Sequence, residues 1–386
     1  AVLLDAGSRG DLWDVPTCRG NVNGGSLTLT HGLAAALEWC SGDTTGTVQV
    51  VDVKTRALVA SLPGWDWQQL AVSPDGTSFV GQEARGPHES GPLAVADART
   101  GSVKVELQGM CWWNDSSPVD PEQQAGCKPY PATPFPFAQR TLRWSPDGSM
   151  IVAVDEIDQA HQLTAIWDAR DGRLLHADSV GDAHLTVDAR FSPDSRELVL
   201  AHPGGVIETL AADAWTTSKM ATLDQSIPDL NDLGLVGYSP DGSSLIGIAG
   251  LSGRGGATIV WIDPTTLSVT NSVPEADAAT PKSAALSPNG ASLAVGATDG
   301  SVRIWDAATG HLLQQMQFGS QVQGVAFIDD SHLAVAPYTG DLLVMTIDPT
   351  ELANTVRASV IRPFTQTECT TYAIDPCPTL AQSKAP

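Results

Sequence analysis

Short apolar segments alternate with turn-forming residues along most of the chain. Val325-Ala326-Phe327 and Leu293-Ala294-Val295 are typical examples, each followed within a few positions by Asp, Asn or Gly. Segments this short, bounded by such residues, favour β-strands over helices, which need longer runs. The pattern therefore predicts an all-β chain built from short strands.

A turn motif recurs along the chain at regular spacing. Ser-Pro-Asp-Gly or a close variant begins 72, 47, 47 and 48 residues after the preceding copy, at Ser73, Ser145, Ser192, Ser239 and Ser287. Pro and Asp favour the turn and Gly accepts a positive φ, so each copy predicts a β-hairpin between its flanking apolar strands. Two more strands follow, most clearly at 301–306 and 312–316. Four antiparallel strands in each repeat predict the blades of a β-propeller.

The ends of the third strands carry a family resemblance. Ile166-Trp167-Asp168 and Ile304-Trp305-Asp306 resemble the signature of WD-repeat β-propellers. The Gly-His dipeptide of that family is missing from its expected place in every repeat. The family's Asp-His-Ser-Trp hydrogen-bond tetrad is therefore not carried over, and we expect mainly apolar packing to hold the blades together.

The repeats predict seven four-stranded blades within residues 1–348. Their expected bounds are 26–62, 68–107, 139–176, 184–223, 233–273, 281–317 and 321–348. The last blade supplies only three strands, so we expect a strand from Val2–Val15 to close the ring and remove its open edges.

The remaining residues, 349–386, predict a short helical tail that contains cysteines and packs on the propeller. Leu352, Val356 and Val360 follow helical spacing, and Thr365–Glu368 matches a capping box. The stretch 362–369 resembles the tail of bacterial WD-repeat regulators, including actinobacterial STAND NTPases, kinases and transcriptional regulators. In those proteins the propeller is a sensor or docking module. The resemblance, together with a chain that begins at Ala1, implies a mature protein or a module of a longer chain.

Unusual connections of the second and third predicted blades are expected on one face. An insertion at 108–138 separates these blades, and their loops 82–92 and 155–162 are rich in polar residues. A loop as long as the insertion at 108–138 is usually functional or disordered. We predict a recognition surface formed by Trp65, Trp67, Glu83, Arg85, His88, Trp112, Trp113, Tyr130, Asp155 and Glu156. Alternatively, Trp112 and Trp113 of the insertion plug the ring or pack a local core, and Trp65 and Trp67 pack between blades.

Six cysteines fall into three consecutive pairs: Cys18 and Cys40, Cys111 and Cys127, Cys369 and Cys377. None forms a Cys-x-x-Cys motif and no histidine lies at zinc-ligand spacing, so no metal site is predicted. Local disulfides in this order are the simplest of the 15 possible pairings. They would place the chain outside the cytoplasm, whereas six free buried thiols would fit a cytosolic protein.

Charge and motifs exclude several functions. Lys and Arg number 21 against 44 Asp and Glu, a net charge of −23. Nucleic-acid binding needs a basic surface, and anionic membranes attract basic segments, so neither partner is expected. No apolar run predicts a membrane-spanning helix. No nucleotide-binding, metalloprotease or nucleophile-elbow motif stands in its required context, so neither an enzyme nor a cofactor is predicted.

These observations predict a non-enzymatic recognition module. The preferred hypothesis is the extracytoplasmic sensor domain of a bacterial signalling protein, which binds a protein, peptide or glycan or contacts other domains of its parent chain. One alternative is an intracellular propeller that autoinhibits a STAND-type regulator. Another is a secreted propeller hydrolase or lyase, which would need carboxylates or histidines lining a central funnel.

Overall fold

A computed structural model gives the fold of the chain. It describes residues 10–11, 28–30, 33–38, 46–52, 57–86, 89–108, 141–158, 161–181, 186–250, 257–274, 279–338, 343–352, 354 and 365–371. These residues form 27 strands in six antiparallel sheets. The prediction of an all-β propeller is confirmed.

The sheets, named I to VI, follow one another along the chain, apart from β1 (Gly10–Asp11). Sheet I has seven strands: β2 (Thr28–Thr30), β3 (Leu33–Glu38), β4 (Gly46–Asp52), β5 (Ala57–Val72), β6 (Ser78–Gly86), β7 (Glu89–Asp97) and β8 (Val103–Glu106). Sheet II contains β9 (Thr141–Trp144), β10 (Met150–Asp158), β11 (His161–Asp168) and β12 (Leu174–Gly181). Sheet III contains β13 (Asp188–Phe191), β14 (Glu197–His202), β15 (Val206–Ala211) and β16 (Thr216–Thr222).

The second half of the chain repeats this arrangement. Sheet IV contains β17 (Leu233–Tyr238), β18 (Leu245–Ala249), β19 (Thr258–Asp263) and β20 (Ser268–Pro274). Sheet V contains β21 (Pro281–Leu286), β22 (Ser292–Ala297), β23 (Ser301–Asp306) and β24 (Leu312–Gln317). Sheet VI contains β25 (Val322–Phe327), β26 (His332–Pro337), β27 (Leu343–Thr346) and β1. Short 3-10 helices span Pro203–Gly205 and Leu230–Asp232, and α1 spans Gln366–Thr371.

The six sheets close into a ring through their inner strands. Contacts join β5 to β9, β9 to β13, β13 to β17, β17 to β21, β21 to β25, and β25 back to β2. Apolar side chains fill the spaces between neighbouring sheets. Between sheets IV and V, for example, Ile246, Ile248 and Trp261 pack with Leu293 and Val295.

The prediction of seven separate four-stranded blades is wrong. The segments expected as the first two blades form one sheet, because β5 is a continuous strand of 16 residues. Its first part pairs with β4, from Asp52↔Ala57 to Gly46↔Trp65, and its last part pairs with β6, at Leu70–Val72. Leu62, Trp65 and Leu70 belong to one buried cluster that spans both parts. This shared core keeps the segment extended where a loop was expected.

The N-terminal segment completes sheet VI, as the sequence predicted. Gly10 and Asp11 pair with Val344 and Leu343 of β27, so β1 is the fourth strand of a sheet whose other three strands come from the end of the repeats. The two ends of the propeller are thereby joined by backbone pairing.

Each Ser-Pro-Asp turn is held by its own side chains. The Ser Oγ donates to the Asp or Asn Oδ1 two residues later, at 2.6–2.8 Å, and accepts the N–H five residues later, at 2.9–3.0 Å. The hydrogen bonds from Ser239 and Ser243 lower the pKa of Asp241 to about 2. Sequence reasoning missed this network, which supports the hairpins in addition to the expected apolar packing.

The segment after β27 is tied to sheet VI by His332. Its Nδ1 lies 2.9 Å from Oδ1 of Asp329, and its Nε2 lies 3.4 Å from Oε1 of Glu351. Thr346 Oγ1 also donates to Glu351 Oε2, at 3.2 Å. Residues 349–352 are helical, and the bounds of the tail stay a prediction. A protonated His332 can thus bridge the last hairpin and the tail.

We expect this bridge to depend on pH. Partial burial alone would lower the pKa of His332, but the hydrogen bonds and charges of Asp329 and Glu351 outweigh it and raise the pKa above its ordinary value. The stabilisation is therefore fully present below the unfolded pKa of about 6.5 and is lost as pH rises through the higher folded pKa. An NMR titration of the imidazole should show this raised pKa, and Glu351→Gln should lower it. A pKa at or below the ordinary value in the native protein would contradict the bridge.

Candidate functional site

The ring has two faces with different connections. Within a four-stranded sheet, the connections after the first and third strands lie at one end, which we call the turn face. The connection after the second strand and the crossing to the next sheet lie at the other end, which we call the loop face. The Ser-Pro-Asp turns lie on the turn face, and the predicted recognition surface falls on the loop face.

Two long hairpins rise on the loop face from neighbouring sheets. β6 and β7 have nine residues each, and β10 and β11 have nine and eight, whereas β14, β15, β22 and β23 have six each. Pairing continues out to Gly86↔Glu89 and to Asp158↔His161. Three extra residues at about 3.3 Å each project the tips by about 10 Å. We call these two structures the raised hairpins.

The raised hairpins correct the prediction of loops at 82–92 and 155–162. Their polar composition favoured loops, but a strand that continues an existing hairpin by backbone pairing does not require apolar alternation. Backbone pairing continues directly from the buried part of each hairpin. Register shifts occur between Gln82 and Ala84, between Ala84 and Gly86, and between Glu156 and Asp158. Such bulges twist a strand and redirect side chains.

The middle of β5 joins the base of the first raised hairpin. Trp65 pairs with Gly46 of β4 and with Glu83 of β6, so three strands meet at this point. The Trp65 side chain is only 4% exposed, and its ring contacts Phe79 edge to face at a centroid distance of 4.6 Å. The alternative from the sequence was packing between blades, whereas the structure buries Trp65 in the core of the single sheet I.

The other predicted site residues are distributed as follows. Glu83 and Arg85 lie on the first raised hairpin, Asp155 and Glu156 on the second, and Trp67 on β5. His88 and the insertion residues Trp112, Trp113 and Tyr130 lie outside the described residues. The structure therefore places the described positions in strands of two neighbouring sheets, I and II.

Of the six cysteines, one lies within the described residues. Cys369 in α1 is 1% exposed and is disulfide-bonded. Cys18, Cys40, Cys111, Cys127 and Cys377 lie outside the described residues, so the pairings remain predictions.

A buried polar network on the inner strands was missed by sequence reasoning. Asp188 of β13 accepts hydrogen bonds from the Thr141 Oγ1, from Arg143 Nη2 and from the Leu235 N–H, at 2.8 Å for the last. It therefore connects β9, β13 and β17, the inner strands of sheets II, III and IV. A carboxylate between apolar residues, at Val187-Asp188-Ala189, was the signal that could have found it.

A second arginine extends this network. Arg190 Nη2 donates to the carbonyl oxygens of Leu235, at 2.9 Å, and Val236. Burial and the nearby charge of Arg143 lower the pKa of Arg190 to about 9, so it remains a cation at neutral pH. Because these donors to Asp188 come from the two sheets on either side of its own, we assign this network to holding inner strands together.

Carboxylates on the turn face are also committed to structure. Asp97, Asp263 and Asp306 each accept backbone N–H groups two and three residues later, which closes the connection after the third strand. Within the described residues, no group of three or more His, Cys, Asp or Glu side chains is arranged to hold a metal ion. The same part of the chain contains no helix long and apolar enough to cross a membrane.

Comparison with known proteins agrees with this architecture. Residues 269–330 match the profile described as the anaphase-promoting complex subunit 4 WD40 domain. The β-propeller domain of Cps50 (Swd1) from Myceliophteria thermophila has a similar structure, with a TM-score of 0.61 and 12% identity over 88% of this chain and 99% of that one. No curated protein matches the sequence. The fold is therefore a β-propeller, and residues 269–330 resemble a WD40 domain.

Proposed function

We propose that this chain is a non-enzymatic recognition module that binds a protein or peptide partner through the raised hairpins. The observation that carries the proposal is their position. Two neighbouring sheets extend by about 10 Å on the same face, whereas the corresponding hairpins of sheets III and V do not. Polar strands that project beyond a rigid scaffold are typical of binding elements.

The insertion between sheets I and II supports this location. It follows β8 and precedes β9, so it stands between the two raised hairpins in chain order. Its tryptophans and tyrosine are residue types that often dominate the energetics of protein interfaces. We propose that Trp112, Trp113 and Tyr130 supply aromatic contacts while Glu83, Arg85, His88, Asp155 and Glu156 supply polar ones.

We further propose that the module is the extracytoplasmic sensor domain of a bacterial signalling protein. The buried, disulfide-bonded Cys369 supports an oxidising compartment. Peptide mapping of unreduced protein from its native source tests this part of the proposal. Disulfides between the predicted pairs support it, whereas six free thiols would contradict it.

Removing the raised hairpins tests the binding proposal. In the variant, Asn-Gly replaces 83–92 in the first hairpin and 156–162 in the second, because Asn-Gly favours tight two-residue hairpin turns. Gln82↔Leu93 and Asp155↔Leu163, which already pair, then flank the new turns. We expect the native partner, captured from the source organism by full-length protein and identified by mass spectrometry, to be lost from the variant.

The control keeps the loop face but alters a short hairpin. Asn-Gly replaces Pro203-Gly204 in the short connection between β14 and β15 of sheet III, where Pro203 is exposed. This control should capture the partner as the native protein does. Equal capture by the shortened variant, with its ring intact by circular dichroism, would contradict the proposal.

A further inference from the structure

A cleft of about 550 Å³ opens on the turn face between sheets I and II. This size lies within the range of ligand pockets. Its apolar wall is formed by Pro74, Val95, Val105, Trp144 and Pro146. Trp144 and Val105 are partly exposed, although both pack against the core between the two sheets. The cleft therefore presents apolar surface to solvent on the face opposite the raised hairpins.

The walls of the cleft are held in place. The Trp144 indole donates from Nε1 to the carbonyl oxygen of Ala71 in sheet I, at 2.9 Å. Gln108 joins the same two sheets, because its N–H donates to Gly172 O, at 2.8 Å, and its carbonyl accepts from Trp167 Nε1, at 3.0 Å. A preformed cleft lowers the entropic cost of binding.

The cations of the cleft already have acidic partners. Lys104 Nζ lies 3.3 Å from Asp97 Oδ2, and Arg170 Nε lies 3.8 Å from Asp168 Oδ1. Both lysine and arginine charges are thus offset locally. A partner's carboxylate would have to compete with these acids.

The negative charges of the two exposed carboxylates at the cleft, Asp75 and Asp147, are not offset by a nearby cation in this way. Asp75 and Asp147 accept hydrogen bonds from Ser73 and Ser145, at 2.6 Å each, and make no ion pair with any described residue. The bonds from Ser73 and Thr77 lower the pKa of Asp75. Partial burial raises the pKa of Asp147, but bonds from Ser145 and Ser149 outweigh it and lower the pKa. Both groups are therefore fixed negative charges near neutral pH.

We propose that this cleft is a second interaction site, which takes a basic peptide segment of a partner protein. An apolar side chain of the segment enters between Trp144 and Val105, and flanking Lys or Arg residues pair with Asp75 and Asp147. A second copy of this chain is a poor occupant, since its net charge of −23 would repel. The module could then hold one partner on each face.

A charge-neutral variant of the cleft tests the proposal without breaking the turns. Sheet V shows that Asn can replace Asp in this turn, because Ser287 Oγ donates to Asn289 Oδ1, at 2.8 Å, and Ala291 N–H donates to the same oxygen. Asp75→Asn with Asp147→Asn should therefore fold normally. The matched control, Asp194→Asn with Asp241→Asn, removes the same charge from equivalent turns away from the cleft.

The probe is the fluorescently labelled peptide Arg-Lys-Leu-Arg-Lys, and its affinity for the full chain is measured by fluorescence anisotropy. We expect the cleft variant to bind it roughly tenfold more weakly, because two charge pairs together contribute about that factor, and the control to bind it normally. Val105→Arg, which places a cation in the cleft, should also weaken binding. The variant with shortened hairpins should bind the peptide unchanged, which separates this site from the proposed function.

Several results would overturn the second site. The proposal is wrong if the peptide does not bind at millimolar concentration. It is also wrong if the cleft variant and the control lose the same amount of peptide affinity, because that result would indicate non-specific attraction. Tighter binding of the acidic peptide Glu-Asp-Leu-Glu-Asp would show the opposite charge preference. Self-association that the cleft variant abolishes would identify a second copy as the occupant.

Discussion

Replacing Asp188 by Ala should destabilise the propeller more than any other single substitution considered. The buried carboxylate accepts hydrogen bonds from Thr141, Arg143 and Leu235, which belong to two neighbouring sheets. Removing one partner of a buried ion pair typically costs about 3–5 kcal/mol, and we expect the lower end of this range here because the Arg143 side chain is 31% exposed. We expect a loss of about this size in the free energy of unfolding, measured by denaturant titration.

Two further variants accompany Asp188→Ala: one removes the charge but keeps the side-chain shape, and the other is a control at an exposed ion pair. Asp188→Asn keeps the shape and should recover part of the loss, because its amide oxygen can still accept one of the two backbone N–H groups that bond to the carboxylate, those of Ala189 and Leu235. Asp171→Ala, which removes an exposed partner 3.9 Å from Arg173, is the control and should change stability by less than about 0.5 kcal/mol. A loss below about 1 kcal/mol for Asp188→Ala would show that the network contributes little.

Deleting residues 1–15 should open the ring at sheet VI. The deletion removes β1, so Val344 and Leu343 keep their partners on β26 but lose those on β1, and β27 becomes an unprotected edge. Each lost backbone hydrogen bond costs about 1 kcal/mol, and the joint between the two ends of the chain disappears with them. We expect a clearly lower thermal midpoint and a broader transition in scanning calorimetry.

A shorter deletion serves as the control for this experiment. Removing residues 1–5 leaves Gly10 and Asp11 in place and should lower the midpoint much less. If both deletions have the same small effect, the closure seen at β1 does not hold the ring together.

The repeated turns made the fold class predictable from sequence. A Gly follows Ser-Pro-Asp or Ser-Pro-Asn in most copies, and Gly76, Gly148, Gly242 and Gly290 all have φ values of 65–72°. This local chemistry determines a hairpin without reference to distant residues. Repetition then implies a propeller, since the same unit recurs along the chain.

The number of sheets was not predictable by the same reasoning. Pro63-Gly64 predicts a turn, and Gly64 indeed has φ of +95°. Pro63 nevertheless pairs with Thr47, and the strand continues past it because Leu62 and Trp65 are buried in the core of sheet I. Tertiary packing overrode the local signal, and two expected blades became one sheet.

The position of the candidate site stays a prediction, but the form of two of its segments differs from the expected loops. The polar segments after Gln82 and after Val154 continue as paired strands. Their strand pairing depends on partners across the hairpin, which polar composition does not reveal. The Asp188 network was hidden for a related reason, since its partners lie about 45 residues away in neighbouring sheets.

Site-directed photo-crosslinking tests the central claim most directly, namely that the raised hairpins bind the partner. A photoreactive amino acid is placed at Arg85 or Glu156 on the hairpins, and at Met220, which is 53% exposed on β16, as the control position. We expect crosslinks to the native partner from the two hairpin positions and none from position 220. Crosslinks from position 220 alone would contradict the account.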